Sequence, residues 1–303
     1  MLTVFLDVTL PIFLVVATAA LFQRWRGLPV APISQLTLYL FSPALIFSSL
    51  VEKHPSGNVS LLVVIAIILT SVCMILTSTV VTKLLRHPRS MQSAFMLATV
   101  FPNAGNMGLP VLMLAFGDAG LAIGIVVFVT HASLGWSLGL FLASRSQLNW
   151  VEALKQVAKI PTLYALLAGL SIMVLKIDVP SIIAEPTRLL GQAAIPTMLV
   201  VLGLQMANGV NFHDWPSITI ALVLRLAVAA PIAYGITLLL GIEGVAQQAV
   251  IIIGAMPAAV FTTVLATEFH AKPQFVTATV VSSTLVSLVT LTGVITVVQN
   301  TLG

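Results

Sequence analysis

Long runs of apolar residues, separated by short segments that carry most of the charges, make up almost the whole chain. A transmembrane helix needs about 20 consecutive apolar residues to cross the hydrocarbon core of a bilayer. The pattern therefore predicts an all-α polytopic membrane protein. Ten transmembrane helices are expected, at residues 4–22, 33–51, 60–82, 91–116, 119–143, 160–176, 187–207, 216–240, 245–268 and 273–298.

The fourth and ninth runs share a pattern of residues that disturb helices. The segment 92–102 is matched about 155 residues later by the segment 247–257, and both segments end in proline. Proline removes a backbone donor and clashes with the preceding helical turn. Because lipid cannot satisfy the backbone groups that such a break frees, the break survives only inside protein or beside a cavity. We expect unwinding at Pro102–Pro110 and Met256–Ala258, where matching breaks in two halves indicate a transporter's binding site.

Other positions repeat with a similar offset. Pro11 in the first run matches Pro161 in the sixth, and the segment 43–47 in the second run matches 196–200 in the seventh. Five spans per repeat is an odd number, so the second repeat must be inverted relative to the first. The sequence therefore predicts two inverted five-helix repeats, at residues 1–143 and 160–303, joined by a cytoplasmic linker at 144–159.

Composition supports a membrane protein and excludes several other classes. The chain is 59% hydrophobic and 7% charged, whereas about 25% of the residues of a soluble domain are charged. The first apolar run follows no basic segment and has no small-residue cleavage site, which favours a first span over a signal peptide. The single cysteine, Cys73, excludes an internal disulfide. Because the sequence has no metal-ligand spacing, phosphate-binding loop or nucleophile–base motif, we expect no cofactor, no metal and no enzymatic activity.

Basic residues predict the orientation, because cytoplasmic loops carry an excess of lysine and arginine. With the N-terminus outside, nine basic residues fall in cytoplasmic loops and three fall in outer loops. This bias predicts that both termini lie outside. The nine are Arg24, Arg26, Lys83, Arg86, Arg89, Arg145, Lys155, Lys159 and Lys272, and the three are Lys53, Lys176 and Arg188.

Two segments resemble signatures of the auxin efflux carrier family, which includes plant PIN proteins and bacterial permeases. They are Phe101-Pro102-Asn103-Ala104-Gly105-Asn106-Met107-Gly108-Leu109-Pro110 and Met256-Pro257-Ala258-Ala259-Val260-Phe261-Thr262-Thr263. The resemblance extends over nearly the whole chain. It implies the fold of the bile-acid transporters and sodium/proton antiporters, with ten helices, inverted repeats and two broken helices that cross at mid-membrane. It also implies transport of organic anions such as malate, malonate or an auxin-like acid.

Two half-helix N-termini that face one cavity would form an anion site. Each break leaves unpaired N–H groups and a partial positive charge, which suit a carboxylate. The side-chain amides of Asn103 and Asn106 can donate to that carboxylate, and Gly105 lets the backbone approach closely. We expect further substrate contacts from the other residues at the two breaks, namely Pro102, Met256, Pro257, Ala258, Phe261 and Thr262.

Four residues away from the breaks are also candidates for the site. His131 lies in the middle of a span, where it either titrates to couple proton movement or serves as a neutral hydrogen-bonding group. The resemblance implies that this span, with Thr130 and His131, helps to line the site. Arg225 is the basic residue predicted well inside a span; it adds positive potential, pairs with an internal acceptor or extends to an interface. Phe47 would form part of an apolar wall.

The leading prediction is a secondary transporter that moves a small organic anion by alternating access. A sodium- or proton-coupled symporter of the bile-acid transporter type and a non-transporting sensor or channel are the alternatives. No acidic pair lies at mid-span, as a proton antiporter of this fold would need, so the membrane potential is the simpler driving force. The expected partners are the anion and the lipid bilayer of the cell membrane. A homodimer is allowed by the resemblance, and no nucleic-acid partner is expected.

Overall fold

The computed structural model describes residues 1–52, 57–144, 161–175, 177–207 and 214–302, and within these ranges it has helices and no strand. Seven helices in the described ranges are long and apolar enough to cross a membrane, so the chain is a multi-pass membrane protein. The predicted linker, apart from Ser144, lies outside the described residues. The same is true of the predicted loop residues Lys53, Arg145, Lys155, Lys159 and Lys176.

Twelve helical segments, labelled α1 to α12, cover most of the described residues. The first six are α1 (Leu2–Arg26), α2 (Val30–Val51), α3 (Gly57–Leu84), α4 (Arg89–Val100), α5 (104–116) and α6 (118–144). The other six are α7 (Pro161–Leu175), α8 (Ser181–Met206), α9 (Trp215–Leu239), α10 (Gly244–Gly254), α11 (Phe261–Glu268) and α12 (Pro273–Leu302).

Helix α8 begins earlier than the apolar run predicted. The run starts at residue 187, but the helix starts at Ser181 and passes through Pro186. The first turns of α8 carry exposed polar residues, among them Glu185, which forms a 2.6 Å ion pair with Arg188. A search for continuous apolar sequence does not detect these amphipathic turns, because their polar positions lower the local hydrophobicity.

Helices α5 and α6 form an antiparallel hairpin that turns at Gly117. Gly117 has φ 60° and ψ −144°, a conformation that glycine adopts without the steric cost of a Cβ atom. Gly105 faces the Phe128 ring across the hairpin, and Gly124 packs on the side chains of Leu109 and Leu112. The turn predicted from the sequence at this position is therefore present.

The two breaks lie side by side and are joined by backbone hydrogen bonds. Helix α4 ends at Val100 and α10 ends at Gly254, and the extended segments that follow them form an antiparallel bridge between Pro102 and Ala258. In this bridge the N–H of Asn103 donates to the carbonyl of Pro257 at 2.8 Å, and the N–H of Ala259 donates to the carbonyl of Phe101 at 2.9 Å. The breaks thus satisfy each other's backbone groups, as an apolar environment requires.

The first break is shorter than predicted. Unwinding was expected from Pro102 to Pro110, but the helix resumes at Ala104 with a π-turn, Ala104–Gly108, and continues through Pro110. A π-turn can accommodate a residue that lacks an N–H group, so Pro110 does not have to end the helix. The second break is longer than predicted, because α11 does not begin until Phe261.

The broken helices lie at the centre of the protein. Every residue of α4 from Ser93 to Val100 is buried, and so is every residue of α10 from Ala246 to Gly254. By contrast, α1, α3 and α12 expose large apolar side chains such as Leu14, Leu76 and Val289, as expected for helices that face lipid. The central position of α4 and α10 places both breaks inside protein.

Candidate functional site

A cavity of about 540 Å³ lies beside the crossing of the two breaks. Helices α2, α5, α6, α8 and α11 and both break segments contribute its walls. The lining residues are Val30, Ala31, Ser34, Gln35, Thr37, Leu38, Tyr39, Ser42, Pro102, Asn103, Ala104, Gly105, Asn106, Phe128, His131, Ala132, Trp136, Met198, Val201, Gln205, Ala259, Val260, Phe261 and Val264.

Two helix N-termini reach this cavity. The first residues of α5, Ala104 to Asn106, line it, and so do Ala259 to Phe261 at the start of α11. The first N–H groups of a helix have no carbonyl one turn earlier to bond to, and the aligned peptide dipoles make this end partly positive. The N–H groups of Ala104, Thr262 and Thr263 already donate to the carbonyls of Pro102, Ala259 and Val260. What reaches the cavity from two directions is therefore the positive potential of the two helix starts.

Four buried polar atoms of the cavity wall have no hydrogen-bond partner within the described residues. They are Asn103 Nδ2, His131 Nδ1, Ser34 Oγ and Gln205 Oε1. Asn103 is 4% exposed and His131 is 6% exposed. Because nearly all buried polar side-chain atoms in proteins have a partner, four such atoms around one cavity indicate that it receives a polar ligand or water.

The rest of the wall is largely apolar and aromatic. Tyr39, Phe128, Trp136 and Phe261 contribute rings, and Phe261 packs edge-on against Phe101 with 5.6 Å between ring centroids. Among the described residues, the lining contains no aspartate, glutamate, lysine or arginine. The site thus combines an apolar enclosure with a few convergent polar groups, which is typical of pockets for small organic molecules.

Three wide π-turns help to shape the cavity. They are Thr37–Phe41 in α2, Ala104–Gly108 in α5 and Gly135–Gly139 in α6, and each contributes lining residues. Single π-turns inside α-helices occur frequently at functional sites, because they redirect side chains without ending the helix. This feature is independent of the unpartnered polar atoms and indicates the same site.

Arg225 does not line the cavity, although it contacts both breaks. Its side chain is 1% exposed. Its Nη1 atom donates to the carbonyl oxygens of Thr99 at 3.0 Å and Val100 at 3.3 Å, and its Nη2 atom donates to the carbonyl of Gly254. Gly254 packs closely on Ala230 and Ala233 of α9, which brings Arg225 within reach of the end of α10.

The structure brings six of the thirteen predicted site residues together in the cavity wall: Pro102, Asn103, Gly105, Asn106, His131 and Phe261. Met256, Pro257 and Ala258 are buried at the second break, and Phe47 is half-buried elsewhere on α2. Thr130 and Thr262 donate their hydroxyl hydrogens to carbonyls of their own segments, at Val126 and Ala259. Met256, Pro257, Ala258, Phe47, Thr130 and Thr262 therefore do not line the cavity, and neither does Arg225.

Eight lining residues with polar or aromatic side chains were missed in the sequence: Ser34, Gln35, Thr37, Tyr39, Ser42, Phe128, Trp136 and Gln205. Ser34 and Gln205 are polar residues inside apolar runs, and this contrast was a usable signal. The three aromatic residues carried no such signal, because rings are common on lipid-facing and packed helix surfaces alike.

Comparison with known proteins gives a family match. The family described as membrane transport protein matches residues 4–159 and 147–295. An uncharacterized transporter of Methanothermobacter thermautotrophicus is 28% identical over 265 residues, which cover 86% of each chain. An uncharacterized transporter of Methanocaldococcus jannaschii is 22% identical over 264 residues, which cover 84% of this chain and 85% of the relative.

Proposed function

Because the chain belongs to the membrane transport protein family, the family of the auxin efflux carriers, we propose that it is a secondary transporter of a small organic anion. The proposed substrate is a carboxylate such as malate, malonate or an auxin-like acid. The observation that carries the proposal is the cavity at the crossing, where two helix N-termini meet the Asn103 amide. Among the described residues, this amide nitrogen has no partner and no acidic side chain lines the wall.

The proposed binding mode follows from the chemistry of this wall. A carboxylate that enters the cavity loses water, and it needs replacement donors because an unpaired buried charge is costly. The amides of Asn103 and Asn106 supply such donors, and the partly positive starts of α5 and α11 favour the negative charge. The aromatic side of the cavity would hold the apolar part of the substrate.

The proposed architecture is ten transmembrane helices in two inverted five-helix repeats, residues 1–143 and 160–303. In this arrangement α4 with α5 forms the broken fourth span, and α10 with α11 forms the broken ninth span. The antiparallel bridge between Pro102 and Ala258 supports the inversion, because two inverted repeats related by a two-fold axis would cross in this way. Both termini are proposed to lie outside.

Alternating access is proposed with the cavity open to the cytoplasmic side in this structure. The cavity extends from the breaks to Val30 at the start of α2 and to Gln205 near the end of α8. In the proposed orientation these helix ends lie on the side of Arg24 and Arg26, which is the cytoplasm. The membrane potential would drive a bound anion outward, with about 2.3 kcal/mol per charge for each 100 mV.

A proton-coupled symporter is the second candidate function, and His131 favours it. This histidine is buried in the cavity wall, and its Nδ1 atom has no partner within the described residues. In this candidate function the imidazole would exchange a proton with the ligand or with water. A His131→Gln variant that loses uptake driven by a pH gradient but retains counterflow would support this candidate.

The partners proposed for this function are the anion and the lipid bilayer of the cell membrane, and a homodimer is proposed from the family resemblance. Cross-linking of the purified protein in proteoliposomes tests the dimer.

Counterflow in proteoliposomes tests the transport function directly. Vesicles preloaded with unlabelled malate, malonate or indole-3-acetate are diluted into a trace of the same labelled acid, and label is expected to accumulate transiently. With the membrane potential held at zero by equal potassium concentrations and valinomycin, a channel would not concentrate label, and a sensor would not move it. Failure of the protein to move any of the three acids, or other carboxylates of similar size, would contradict the proposal.

A further inference from the structure

The side chain of Arg225 joins the C-terminal ends of two helices that come from different halves of the chain. It donates to the carbonyls of Thr99 and Val100, which end α4, and to the carbonyl of Gly254, which ends α10. The last carbonyls of a helix have no partner within the helix, and this end is partly negative. Arg225 therefore binds the negative ends of the same two broken helices whose positive ends reach the cavity.

No acidic side chain neutralises Arg225 in the part of the chain that the structure describes. The acidic residues with described side chains are all exposed: Asp7, Asp118, Asp178, Glu185, Asp214, Glu243 and Glu268. Within the described residues, the Nη atoms of Arg225 donate to backbone carbonyls alone, and its Nε atom has no partner. An arginine side chain keeps its charge in proteins, and a charge inside a membrane protein is costly and often functional.

We propose that Arg225 cancels the two negative helix ends, so that the two positive helix ends at the cavity attract a single carboxylate. Each helix end carries about half an elementary charge. The ends of α4 and α10 together therefore carry about one negative charge, which Arg225 offsets. The starts of α5 and α11 together carry about one positive charge, and Arg225 leaves this charge without compensation.

The same sum of helix-end charges predicts how many negative charges the substrate carries. Without Arg225 the four helix ends would sum to about zero, and the cavity would have little preference for an anion. With Arg225 the crossing has a net charge that one carboxylate neutralises. A second carboxylate would remain unpaired, because the described part of the wall has no basic residue. The inference rests on the proposed transport function and narrows the substrate to singly charged carboxylates. Arg225 is a positioning residue, since it contacts the helix ends and does not line the cavity.

Three probes of similar shape and different charge test the inference at neutral pH. They are phenylacetate with one charge, phenylmalonate with two charges and phenylacetamide with none. Binding is measured by ligand-dependent thermal stabilisation of the purified protein, and movement is measured by counterflow. The wild-type protein is expected to bind phenylacetate roughly tenfold more tightly than either other probe, a difference of about 1.4 kcal/mol.

Variants of Arg225 separate its electrostatic role from packing. Arg225→Gln is expected to weaken phenylacetate binding roughly tenfold or more while it changes phenylacetamide binding by less than roughly twofold. Arg225→Lys keeps the charge and is expected to restore the preference for phenylacetate. The matched control is Arg24→Gln, which makes the same chemical change at an exposed helix end. A purely structural role would change the binding of all three probes together.

Two results would overturn the inference while the proposed function stands. One is a folded Arg225→Gln protein that keeps the full preference for phenylacetate over phenylacetamide. The other is a wild-type protein that binds phenylmalonate as tightly as phenylacetate, and this measurement decides the question even if Arg225→Gln does not fold. If the wild-type protein neither binds nor moves any carboxylate, the proposed function fails and the inference fails with it.

Discussion

The backbone N–H of Asn103 donates to the carbonyl of Pro257 at 2.8 Å, which connects the break in the first half of the chain to the break in the second half. The two breaks have the same local cause, because each contains a proline that cannot continue a regular helix. Because this hydrogen bond joins the two breaks, a backbone movement at one break also moves the other. Substrate release and closure of the cavity are therefore expected to involve both broken helices together.

Replacing Asn106 with alanine is expected to weaken substrate binding by roughly ten- to a hundred-fold, because a hydrogen bond to a charged group contributes about 1.5–3 kcal/mol. Asn106→Asp should bind more weakly still, since it places a like charge beside the anion. The measurements are substrate-dependent thermal shift and uptake into liposomes. Asn300, which is exposed near the end of α12, provides the control replacements Asn300→Ala and Asn300→Asp. Normal binding and uptake by both Asn106 variants would remove this residue from the site.

Gly105→Ala is expected to lower stability by about 1–3 kcal/mol, the usual cost of overpacking a closed interior. A Cβ atom at residue 105 would lie 2.8 Å from the ring of Phe128, so the ring would have to move at the cavity wall. Gly235→Ala is the matched control, because a Cβ atom there meets nothing within 4 Å. The control should be neutral or stabilising by up to about 1 kcal/mol. Thermal unfolding in detergent compares the two, and equal stability would contradict the packing argument.

Ser283→Ala is expected to destabilise the crossing. The Oγ atom of Ser283 accepts the N–H of Ala258 at 3.1 Å, next to the bridge between the two breaks. Without this acceptor the buried N–H loses its partner, which costs about 1–3 kcal/mol. Ser171→Ala is the control, because the exposed Ser171 hydroxyl bonds to its own helix at Leu167 and its loss should change stability by less than about 0.5 kcal/mol. Equal unfolding temperatures for the two variants would show that the bond contributes little.

The orientation prediction is tested by labelling a single cysteine. In a Cys73→Ala background, Ser146→Cys should react with an impermeant maleimide only after the membrane is made permeable, because the basic bias places this segment in the cytoplasm. A cysteine added at the N-terminus should react in intact cells and serves as the positive control. Labelling of Ser146→Cys from outside intact cells would invert the proposed topology.

Several features could be predicted from the sequence because they depend on residues that are close together in the chain. An apolar run of sufficient length indicates a membrane helix whatever its neighbours are, and Gly117 and the prolines at 102 and 257 interrupt helices through their own covalent structure. The class of protein, the existence of both breaks and the α5–α6 turn follow from such local causes. The inverted repeat and the orientation remain predictions.

Tertiary structure decided which distant segments join the two breaks in the cavity wall. Ser34 and Gln205 meet Asn103 and His131 in one cavity because α2 and α8 pack beside the breaks, and no property of those helices taken singly specifies that packing. The partners of Arg225 likewise could not be predicted from the sequence. Its sequence position indicated a charge that needs a partner, but three partners at Thr99, Val100 and Gly254 become available only when two helix ends converge on α9. Helix formation is determined locally, whereas a site that unites distant segments depends on how the finished helices pack.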